Sequence, residues 1–375
     1  MPIKILSDIV DVVSEHISNP GTSGFEIFVG LEHYDSGDPL ITRYGSTNNL
    51  ASSVKHFVSG DILVARRNVY LRRAGVVRFE GVTSGDSIVL RVKDKEYSDI
   101  LPFILNSDDF WDYAEQNSDG TMSKRLAPDV LLEYECNIPD NHYQIANKLW
   151  AAYRLKESYK RLLAATDEMV KSQFIEMFGN PLSSKQKNEL KKLGECCCIN
   201  PRRPNITLHD TDKVSFVPMS AVSEDGHLLD ILDEEYGKVK KGFTYFENND
   251  VLFAKITPCM ENGKGAIAQG LTNGIGMGST EFHVLRPINE ISSPYWLLAL
   301  TQMPVFRERA AKNMSGTGGQ KRVAAAYLEH FMVGVPSIEE QRHFEAIYKQ
   351  ADKSKFELRR SIDAIDKVIK SLING

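Results

Sequence analysis

The stretch Ser-Gly-Asp-Ile-Leu-Val-Ala-Arg-Arg-Asn at residues 59–68 returns in altered form as Asn-Asn-Asp-Val-Leu-Phe-Ala-Lys-Ile-Thr at residues 248–257. Each copy places an aspartate, Asp61 or Asp250, directly before a short apolar run. Such a run after turn-forming residues is typical of a buried β-strand. The two copies are separated by about half of the chain, which is far longer than the period of a solenoid repeat. The pattern therefore predicts that a whole domain occurs twice.

A second pair of similar segments extends the duplication. Gly-Thr-Met-Ser-Lys-Arg-Leu at residues 120–126 corresponds to Gly-Thr-Gly-Gly-Gln-Lys-Arg-Val at residues 316–323. Pro139 and Pro336 then each precede a long helical pattern. The repeated unit is thus predicted to be a globular domain followed by a long helix. A chain of 375 residues is long enough for two such domains.

Two long helices are predicted from apolar residues that recur mostly at steps of three and four. In the first helix these residues are Ile145, Leu149, Ala152, Leu155, Tyr159, Leu162, Thr166, Met169, Phe174 and Met177, and in the second they are Phe344, Ile347, Ala351, Leu358, Ile362, Ile365, Ile369 and Leu372. The first helix is expected to end at Gly179, because glycine readily adopts the left-handed conformation of a helix cap. The second is expected to begin with a capping box of Ser337 and Glu340.

The narrow apolar faces of these two helices each need a partner. We expect the helices to pair with each other as an antiparallel coiled coil. The alternative is that each helix packs back onto its own domain. We favour pairing because each apolar face is longer than a domain of about 140 residues is expected to cover.

The globular parts combine strands and short helices. Short β-rich runs, such as residues 62–65, 87–92 and 282–285, are separated by turn residues, and amphipathic segments lie near residues 98–117 and 293–313. The predicted fold class is α+β. The predicted boundaries are a first domain at 1–139, a first helix at 140–180, a second domain at 181–336 and a second helix at 337–375.

The composition is that of an ordinary globular protein, with 42% hydrophobic and 25% charged residues. No apolar run is long enough to cross a bilayer, and the first residues lack the apolar core of a signal peptide. Three of the five cysteines are adjacent, at 196–198, which suits neither a disulfide framework nor a Cys-x-x-Cys metal site. We therefore expect a cytoplasmic protein without membrane contact, in which these cysteines have a packing role.

Catalytic and cofactor motifs are not found in this sequence. The glycine-rich run before Lys321 lacks the P-loop pattern, because Gln320 and Arg322 occupy the places of its glycine and hydroxyl residue. Neither a zinc-binding His-Glu-x-x-His, a Gly-x-Ser-x-Gly elbow nor a dinucleotide turn occurs. Asp61 and Asp250 have no consistent acidic partner, so a turn role is expected for them. We predict a chain that is not an enzyme and holds neither cofactor nor metal.

Basic residues are clustered although the net charge is −5, which argues against indiscriminate binding of nucleic acid. The clusters are Arg66, Arg67, Arg72 and Arg73 with Tyr70 among them; Lys238, Lys240 and Lys241 followed by Lys255 and Lys264; and Lys185, Lys187, Lys191, Lys192, Arg202 and Arg203. Such patches are typical of contact with phosphates. The alternative for any single patch is a solvated basic surface.

Several motifs resemble those of type I restriction-modification specificity subunits. They are Met177-Phe178-Gly179-Asn180-Pro181, Phe216-Val217-Pro218-Met219, Asp250 to Pro258, Gly316 to Arg322, and Val335-Pro336-Ser337 with Glu340-Gln341. The order of parts also matches: target recognition domain, conserved helix, target recognition domain, conserved helix. The resemblance covers the whole chain and is strongest in the second half, since His142-Tyr143-Gln144 stands in the first copy where the second has Glu339-Glu340-Gln341.

The resemblance implies a DNA-binding subunit that gives a methyltransferase and endonuclease complex its sequence specificity. Each domain would read one half of a split target in double-stranded DNA, while the helix pair sets the spacing and docks two modification subunits. Restriction or translocase subunits would complete the complex. S-adenosylmethionine, ATP and Mg are expected on those partner subunits rather than on this chain.

The duplication also divides the predicted DNA contacts into two classes. Residues common to both copies should be fold elements or phosphate contacts, which applies to Lys124, Arg125, Lys321 and Arg322. Base readers should lie where the copies differ, because the two domains read different sequences; arginine, asparagine and glutamine are the usual readers. The predicted readers are Arg66, Arg67, Asn68 and Arg72 in the first domain and Lys255, Asn262 and Lys264 in the second. Tyr70, Arg73 and Gln320 complete the predicted set.

Two alternatives to this function stay open. The chain could be a DNA-recognition adaptor of a related defence complex, which would keep the fold and change its partners. It could also be a scaffold that organises proteins on a coiled coil and binds no DNA. The basic segments and the domain motifs count against the scaffold.

Overall fold

The computed structural model describes residues 3–22, 24–48, 50, 52–120, 123–180, 188–229, 231–317 and 319–374. The chain forms two compact units. Unit one consists of Met1–Arg161 and Arg359–Gly375, and unit two consists of Leu162–Leu358. Each unit therefore contains one globular part and segments of both long helices. No helix in the described ranges is long and apolar enough to cross a membrane.

Unit one combines two sheets with short helices. Its strands are β1 Ile3–Ile5, β2 Val10–Val13, β3 His16–Ile17, β4 Ile27–Val29, β5 Leu40–Ile41, β6 Gly45–Ser46, β7 Val54–Phe57, β8 Ile62–Ala65, β9 Ala74–Val77, β10 Gly81–Thr83, β11 Ser87–Val92 and β12 Glu135–Asn137. Its helices are α1 Leu6–Ile9, α2 Leu101–Ile104, α3 Asp108–Gln116, α4 Pro128–Leu132 and the first part of α5 His142–Phe178. The sheet orders are β3-β7-β10-β4-β6 and β2-β11-β8-β9-β5, and β1 pairs with β12.

Strand β8 lies in the centre of unit one and is buried on both faces. Alternate residues of a strand point to opposite faces. Ile62 and Val64 accordingly pack in the cluster that includes Trp111 of α3, whereas Leu63 and Ala65 pack in the cluster that includes Phe57 of the other sheet. A sheet covered on both faces explains why the decisive stretch of sequence has four consecutive apolar residues.

Unit two repeats this architecture. Its strands are β13 Glu189–Lys192, β14 Cys197–Ile199, β15 Lys213–Val217, β16 Leu232–Glu235, β17 Thr244–Glu247, β18 Val251–Ala254, β19 Gly265–Ile267, β20 Ile275–Gly278, β21 Phe282–Pro287 and β22 Met332–Val335. Its helices are α6 Leu193–Cys196, α7 Tyr236–Val239, α8 Pro294–Gln302, α9 Pro304–Lys312, α10 Ala325–Glu329 and the first part of α11 Ile338–Asn374, together with the end of α5. The sheet orders are β14-β21-β18-β19 and β16-β15-β20-β17, and β13 pairs with β22.

The pairing pattern shows how closely the two units correspond. In unit one β10 is parallel to β4 and antiparallel to β7, and in unit two β20 is parallel to β15 and antiparallel to β17. Val251 and Phe253 of β18 pack against the helices of unit two, while Leu252 faces Phe246 of the other sheet. Both units thus have mixed α and β structure with the same arrangement around the repeated strand.

The repeated aspartate closes a turn and anchors the neighbouring antiparallel strand. The Asp61 carboxylate accepts the backbone N–H of Val58 at 2.9 Å and two hydrogen bonds from the Arg91 guanidinium, at 2.8 and 2.7 Å. In unit two Asp250 accepts the N–H of Glu247 at 2.8 Å and binds Arg286 in the same bidentate way, at 2.8 and 2.7 Å. The turn role expected for both aspartates is confirmed, and the arginine partners are a finding of the structure.

The ends of the long helices follow the sequence signals. Gly179 has φ 70°, and its N–H donates to the carbonyl of Ile175, so the expected left-handed cap is confirmed. Ser337 and Glu340 form the expected capping box, since the Glu340 carboxylate accepts the Ser337 N–H at 3.0 Å and the Ser337 hydroxyl accepts the Glu340 N–H at 3.3 Å.

Segments of α5 and α11 contact each other inside each unit. In unit two the rings of Phe174 and Phe178 lie 5.4 and 5.5 Å from that of Phe344, and Asp167 binds Lys355 at 3.0 Å. Residues later in α5 contact residues earlier in α11, since Asp167 contacts Lys355 whereas Phe174 and Phe178 contact Phe344. In unit one Lys156 binds Asp366 at 2.5 Å, and residues near the end of α11 pack against the start of α5.

The apolar face predicted for α5 is partly wrong. Leu155, Leu162 and Met169 are 45%, 51% and 41% exposed. The buried residues of α5 are Ala146, Leu149, Tyr153, Val170, Phe174 and Phe178. At the start of α5 the face is shifted because this segment packs against α2, including Phe103, as well as against α11. Burial by a neighbouring domain helix overrides the pattern that the helix alone presents.

The cysteine prediction is right in two of three places. Cys196 and Cys197 are fully buried in the core of unit two, and burial raises the pKa of the Cys196 thiol to about 11. Cys198 is exposed instead, because alternate residues of β14 point to opposite faces.

Replacing Phe344 with alanine should destabilise unit two by about 3–5 kcal/mol, since the residue is fully buried against three aromatic rings. The matched control is Phe356→Ala on the same helix, where the side chain is 58% exposed and the loss should stay below about 1 kcal/mol. Urea denaturation of both variants measures the difference, and equal losses would contradict the packing described here.

Replacing Asp250 with asparagine should cost about 2–3 kcal/mol of unfolding free energy, because it leaves the Arg286 guanidinium without its buried carboxylate. Glu189→Gln removes an ion-paired carboxylate that is 74% exposed, and it should cost less than about 1 kcal/mol. Urea denaturation compares the Asp250→Asn and Glu189→Gln variants. A double-mutant cycle with Arg286→Gln measures the interaction energy between Asp250 and Arg286.

Candidate nucleic-acid interface

Two segments that are far apart in the sequence lie side by side at one end of unit one. Asn68 donates its N–H to the carbonyl of Lys124 at 2.9 Å, and Leu126 donates to the carbonyl of Arg66 at 2.8 Å. Arg67 and Arg125 form a bridge pair between them. The structure therefore brings residues 66–68 and 123–126, which carry five of the sequence-predicted contacts, into one loop pair. We call it loop pair one.

An acidic residue lies beneath loop pair one. Asp86 directly precedes β11, and its carbonyl accepts the N–H of Arg66 at 2.9 Å. Its carboxylate is 3.7 Å from the Arg67 guanidinium and 3.6 Å from that of Arg125. The arginine side chains are 46% and 52% exposed, and the Asp86 side chain is 28% exposed. Both guanidinium groups are thus ion-paired at the surface with one carboxylate.

Asn68 has a conformation that suits its residue type. Its φ is 56°, in the left-handed region where asparagine is much more common than most other residues. The Asn68 side-chain carbonyl accepts a hydrogen bond from the Ser123 hydroxyl at 3.0 Å, and that hydroxyl also accepts from the Arg67 Nε at 3.2 Å. Side-chain hydrogen bonds therefore join the two halves of loop pair one in addition to the backbone.

The remaining basic residues of the first cluster are bound within unit one. The Arg72 guanidinium donates to Asp108 at 2.8 Å and to Asp112 at 3.1 Å. That of Arg73 donates to the carbonyls of Leu31 and Arg67, at 2.9 and 3.1 Å. Lys124 donates to the carbonyl of Glu115 at 2.5 Å, while Tyr70 is 59% exposed. These contacts fix the loop to α3, and roles in DNA contact stay predictions.

Unit two contains the same loop pair, formed by residues 255–257 and 319–323. Thr257 donates its N–H to the carbonyl of Lys321, and Val323 donates to that of Lys255, each at 3.0 Å. Ile256 and Arg322 form the bridge pair. The structure thus brings Lys255 next to Lys321 and Arg322, with Gln320 and Lys321 exposed. We call this arrangement loop pair two.

Glu281 has in unit two the place that Asp86 has in unit one. It directly precedes β21, and its carbonyl accepts the N–H of Lys255 at 2.9 Å. Its carboxylate accepts two hydrogen bonds from Arg322, at 2.8 and 2.7 Å. These hydrogen bonds hold the pKa of Glu281 below its usual value. The sequence could have revealed both acids, because each stands one residue before the corresponding strand of its copy.

Asn262 and Lys264 lie in the turn that follows loop pair two rather than in the pair itself. The Asn262 side-chain amide donates to the Glu224 carboxylate at 3.0 Å. The backbone of Lys264 bonds to Ala254 and Cys259. The sequence-predicted lysines 185 and 187 lie outside the described residues. In the described part of the chain, histidine, cysteine and acidic residues form no group that could hold a metal ion.

A buried histidine supports loop pair two and was missed in the sequence. His283 is 5% exposed, and its Nε2 lies 2.8 Å from the carbonyl of Val323. Its Nδ1 lies 2.9 Å from the side-chain amide of Asn200. Burial, followed by the nearby charge of Lys255, lowers the pKa of His283 below 6.5. The neutral form is therefore the one that holds the loop.

The second half of the chain matches a known family. Residues 185–365 match the type I restriction modification DNA specificity domain. The specificity subunit of the type I restriction enzyme EcoAI of Escherichia coli is 36% identical over 178 residues, covering 45% of this chain and 30% of that subunit. The EcoEI specificity subunit of the same organism is 33% identical over 188 residues, covering 48% and 31%. The matched region spans less than a third of these relatives.

Two solved structures share the fold over nearly the whole chain. The type I restriction-modification S subunit from M. genitalium has a TM-score of 0.55 at 13% identity, covering 99% of this chain and 94% of that one. A structure concerned with complex assembly and conformational transition of the type I R-M system has a TM-score of 0.54 at 17% identity, covering 100% and 96%. The resemblance inferred from the sequence motifs is confirmed.

Acidification should weaken unit two through His283. The pKa of His283 is lowered in the folded state, so the unfolded state binds a proton more readily. The contribution of His283 to the free energy of unfolding is therefore complete above about pH 6.5 and decreases as the pH falls below that value. The loss is about 1.4 kcal/mol for each unit by which the pKa is lowered. Denaturation at about pH 7 and about pH 5 should show a smaller decrease for His283→Gln than for the unchanged chain. An equal decrease would show that His283 does not contribute to the pH dependence of stability.

Proposed function

We propose that this chain, which matches the type I restriction modification DNA specificity domain over residues 185–365, is the non-catalytic subunit that gives such a complex its DNA sequence specificity. The observation that carries the proposal is the presence of two loop pairs with the same backbone hydrogen bonds and different side chains. Arg67 and Asn68 in unit one stand where unit two has Ile256 and Thr257. Two loop pairs that share a backbone arrangement and differ in their side chains are suited to reading two different half-sites.

The two loop pairs supply the chemistry that DNA requires. Guanidinium and amide groups can form paired hydrogen bonds with base edges, and lysines contact phosphates as point charges. We assign base reading to Arg66, Arg67, Asn68, Arg72, Lys255, Asn262 and Lys264. We assign phosphate contact or support to Lys124, Arg125, Gln320, Lys321, Arg322, Tyr70 and Arg73. The carboxylates of Asp86 and Glu281 support this assignment by orienting guanidinium groups before DNA arrives.

The long helices are proposed to set the distance between half-sites. Each has 37 residues, or about 55 Å, and half-sites one turn of B-DNA apart are separated by about 34–36 Å. We propose recognition domains at 1–139 and 181–336, joined by helices 140–180 and 337–375 that pair as an antiparallel coiled coil. The contacts between α5 and α11 inside each unit support this pairing.

The partners follow from the proposed role. The helices would dock two modification subunits, and restriction or translocase subunits would join them, with S-adenosylmethionine, ATP and Mg bound by those partners. Exposed apolar residues on the helices, Leu155, Leu162 and Met169, support a docking role because they are covered by neither globular part. The proposal places the complex in the cytoplasm with its double-stranded DNA target.

Methylation mapping tests the function. The chain is co-expressed with its methyltransferase partner, and host DNA is compared with DNA from cells that lack the chain. We expect a new split motif with two short half-sites and a fixed gap. Unchanged methylation despite complex formation would identify an adaptor, and the absence of salt-dependent DNA binding would identify a scaffold.

The division between phosphate and base contacts is tested on the same complex. Lys321→Gln should weaken binding to all sequences and reduce the slope of log affinity against log salt by about 1. Arg66→Ala should cost about 1–3 kcal/mol at one base position and relax the motif there. Lys312 is an exposed lysine at the end of α9. The control variant Lys312→Gln should change neither the salt slope nor the base preference. The reverse pattern would overturn the assignment.

A further inference from the structure

An exposed aromatic residue lies in a basic loop of unit two. Residues Lys240-Lys241-Gly242-Phe243 precede β17, and Gly242 has φ 82°, which suits glycine. The Phe243 ring is 41% exposed, and its remaining surface contacts the ring of Phe216 edge-on, with centroids 5.0 Å apart. The accessible part of the ring is apolar surface that a binding partner can cover.

Strand register places this loop at the same end of unit two as loop pair two. Thr244, the residue after Phe243, is opposite Gly278 at the end of β20. Three residues later Glu281 accepts the N–H of Lys255 and holds Arg322. Since consecutive Cα atoms are at most about 3.8 Å apart and paired strands about 5 Å apart, Phe243 lies within roughly 25 Å of Lys255. Both therefore fit within one DNA footprint.

The charges around Phe243 suit an anionic polymer. Lys241 and Arg202 are exposed. Lys240 is fixed by Asp210 at 2.6 Å, and the Arg203 guanidinium donates to the Lys240 carbonyl. The loop is thus held in place by internal contacts, while a lysine next to the exposed ring remains directed to solvent.

Unit one has a different residue at the corresponding position. In unit one Lys55 is opposite Thr83 at the end of β10, so Val54 occupies the place of Phe243. Val54 is 2% exposed and belongs to the interior, and Ser52 and Ser53 stand where unit two has Lys241 and Gly242. The scaffold therefore does not require an exposed aromatic residue at this position, and the difference falls where two domains with different half-sites are expected to differ.

We propose that Phe243 is a base-contacting residue of unit two, with Lys241 on the adjacent phosphate. The ring would pack on the apolar surface of bases, as aromatic and aliphatic side chains do on thymine methyl groups or between base steps. This inference rests on the proposed function and adds a specificity-determining residue to it.

The test uses the complex of the full chain with its methyltransferase partner. Phe243→Ala should lower affinity for the target about ten-fold to a hundred-fold and relax one position in a single half-site, leaving the other half-site unchanged. Lys241→Gln should weaken binding to all duplexes and lower the salt slope by about 1. The matched control is Met332→Ala, which truncates a side chain that is 45% exposed on β22. This variant should change neither the base preference nor the salt slope.

Two further outcomes keep the inference separable from the proposed function. If the unchanged chain yields no split motif, the proposed function fails and this residue assignment fails with it. If the split motif is present and Phe243→Ala leaves both half-sites unchanged, only the role of Phe243 is overturned. Should the alanine variant lower the unfolding midpoint, Phe243→Leu, which retains an apolar contact with Phe216, takes its place, and unchanged base preference for it overturns the inference.

Discussion

The rest of each unit depends on a buried carboxylate that must be paired. Asp61 and Asp250 are 1% exposed, and a charge so far from water is tolerated only with hydrogen-bonding partners. Each therefore binds a turn N–H and an arginine on the neighbouring antiparallel strand. Because this pair lies at one end of the two strands, it fixes their register. The other ends of the same strands carry Arg66 and Asp86, or Lys255 and Glu281, so the pair also sets the position of the loops.

This constraint explains why the two units share a backbone and differ in side chains. The Asp–Arg pair, the central buried strand and the backbone bonds of the loop pairs occur in both units. Residues that project from the loops are not needed for any of these contacts. They are free to differ, as Arg67 differs from Ile256. On the proposed function, a scaffold with such freedom can acquire a new half-site without loss of the fold.

The sequence predicted features that are local or repeated. The aspartate turn, the buried strand after it, the cap at Gly179 and the capping box at Ser337 all depend on residues close together in the chain. The partners Arg91, Arg286 and His283 could not be identified in that way, because each acts across strands or from a distant loop. The face of α5 was partly misjudged for a related reason. A helical pattern identifies apolar residues, whereas the neighbouring helix α2 decides which of them are covered.

The acidic partners of the loop arginines also bear on specificity. A net charge of −5 and carboxylates at Asp86, Glu281 and Asp108 reduce the attraction of the whole surface for phosphates. On the proposed function, a guanidinium group must exchange its carboxylate for a base or a phosphate. The exchange lowers affinity for every DNA sequence by a similar amount, so binding depends more strongly on correct base contacts. Preorganisation by the same carboxylates limits the conformational entropy lost on binding. Weak general attraction and well-oriented readers are together what a specificity subunit requires.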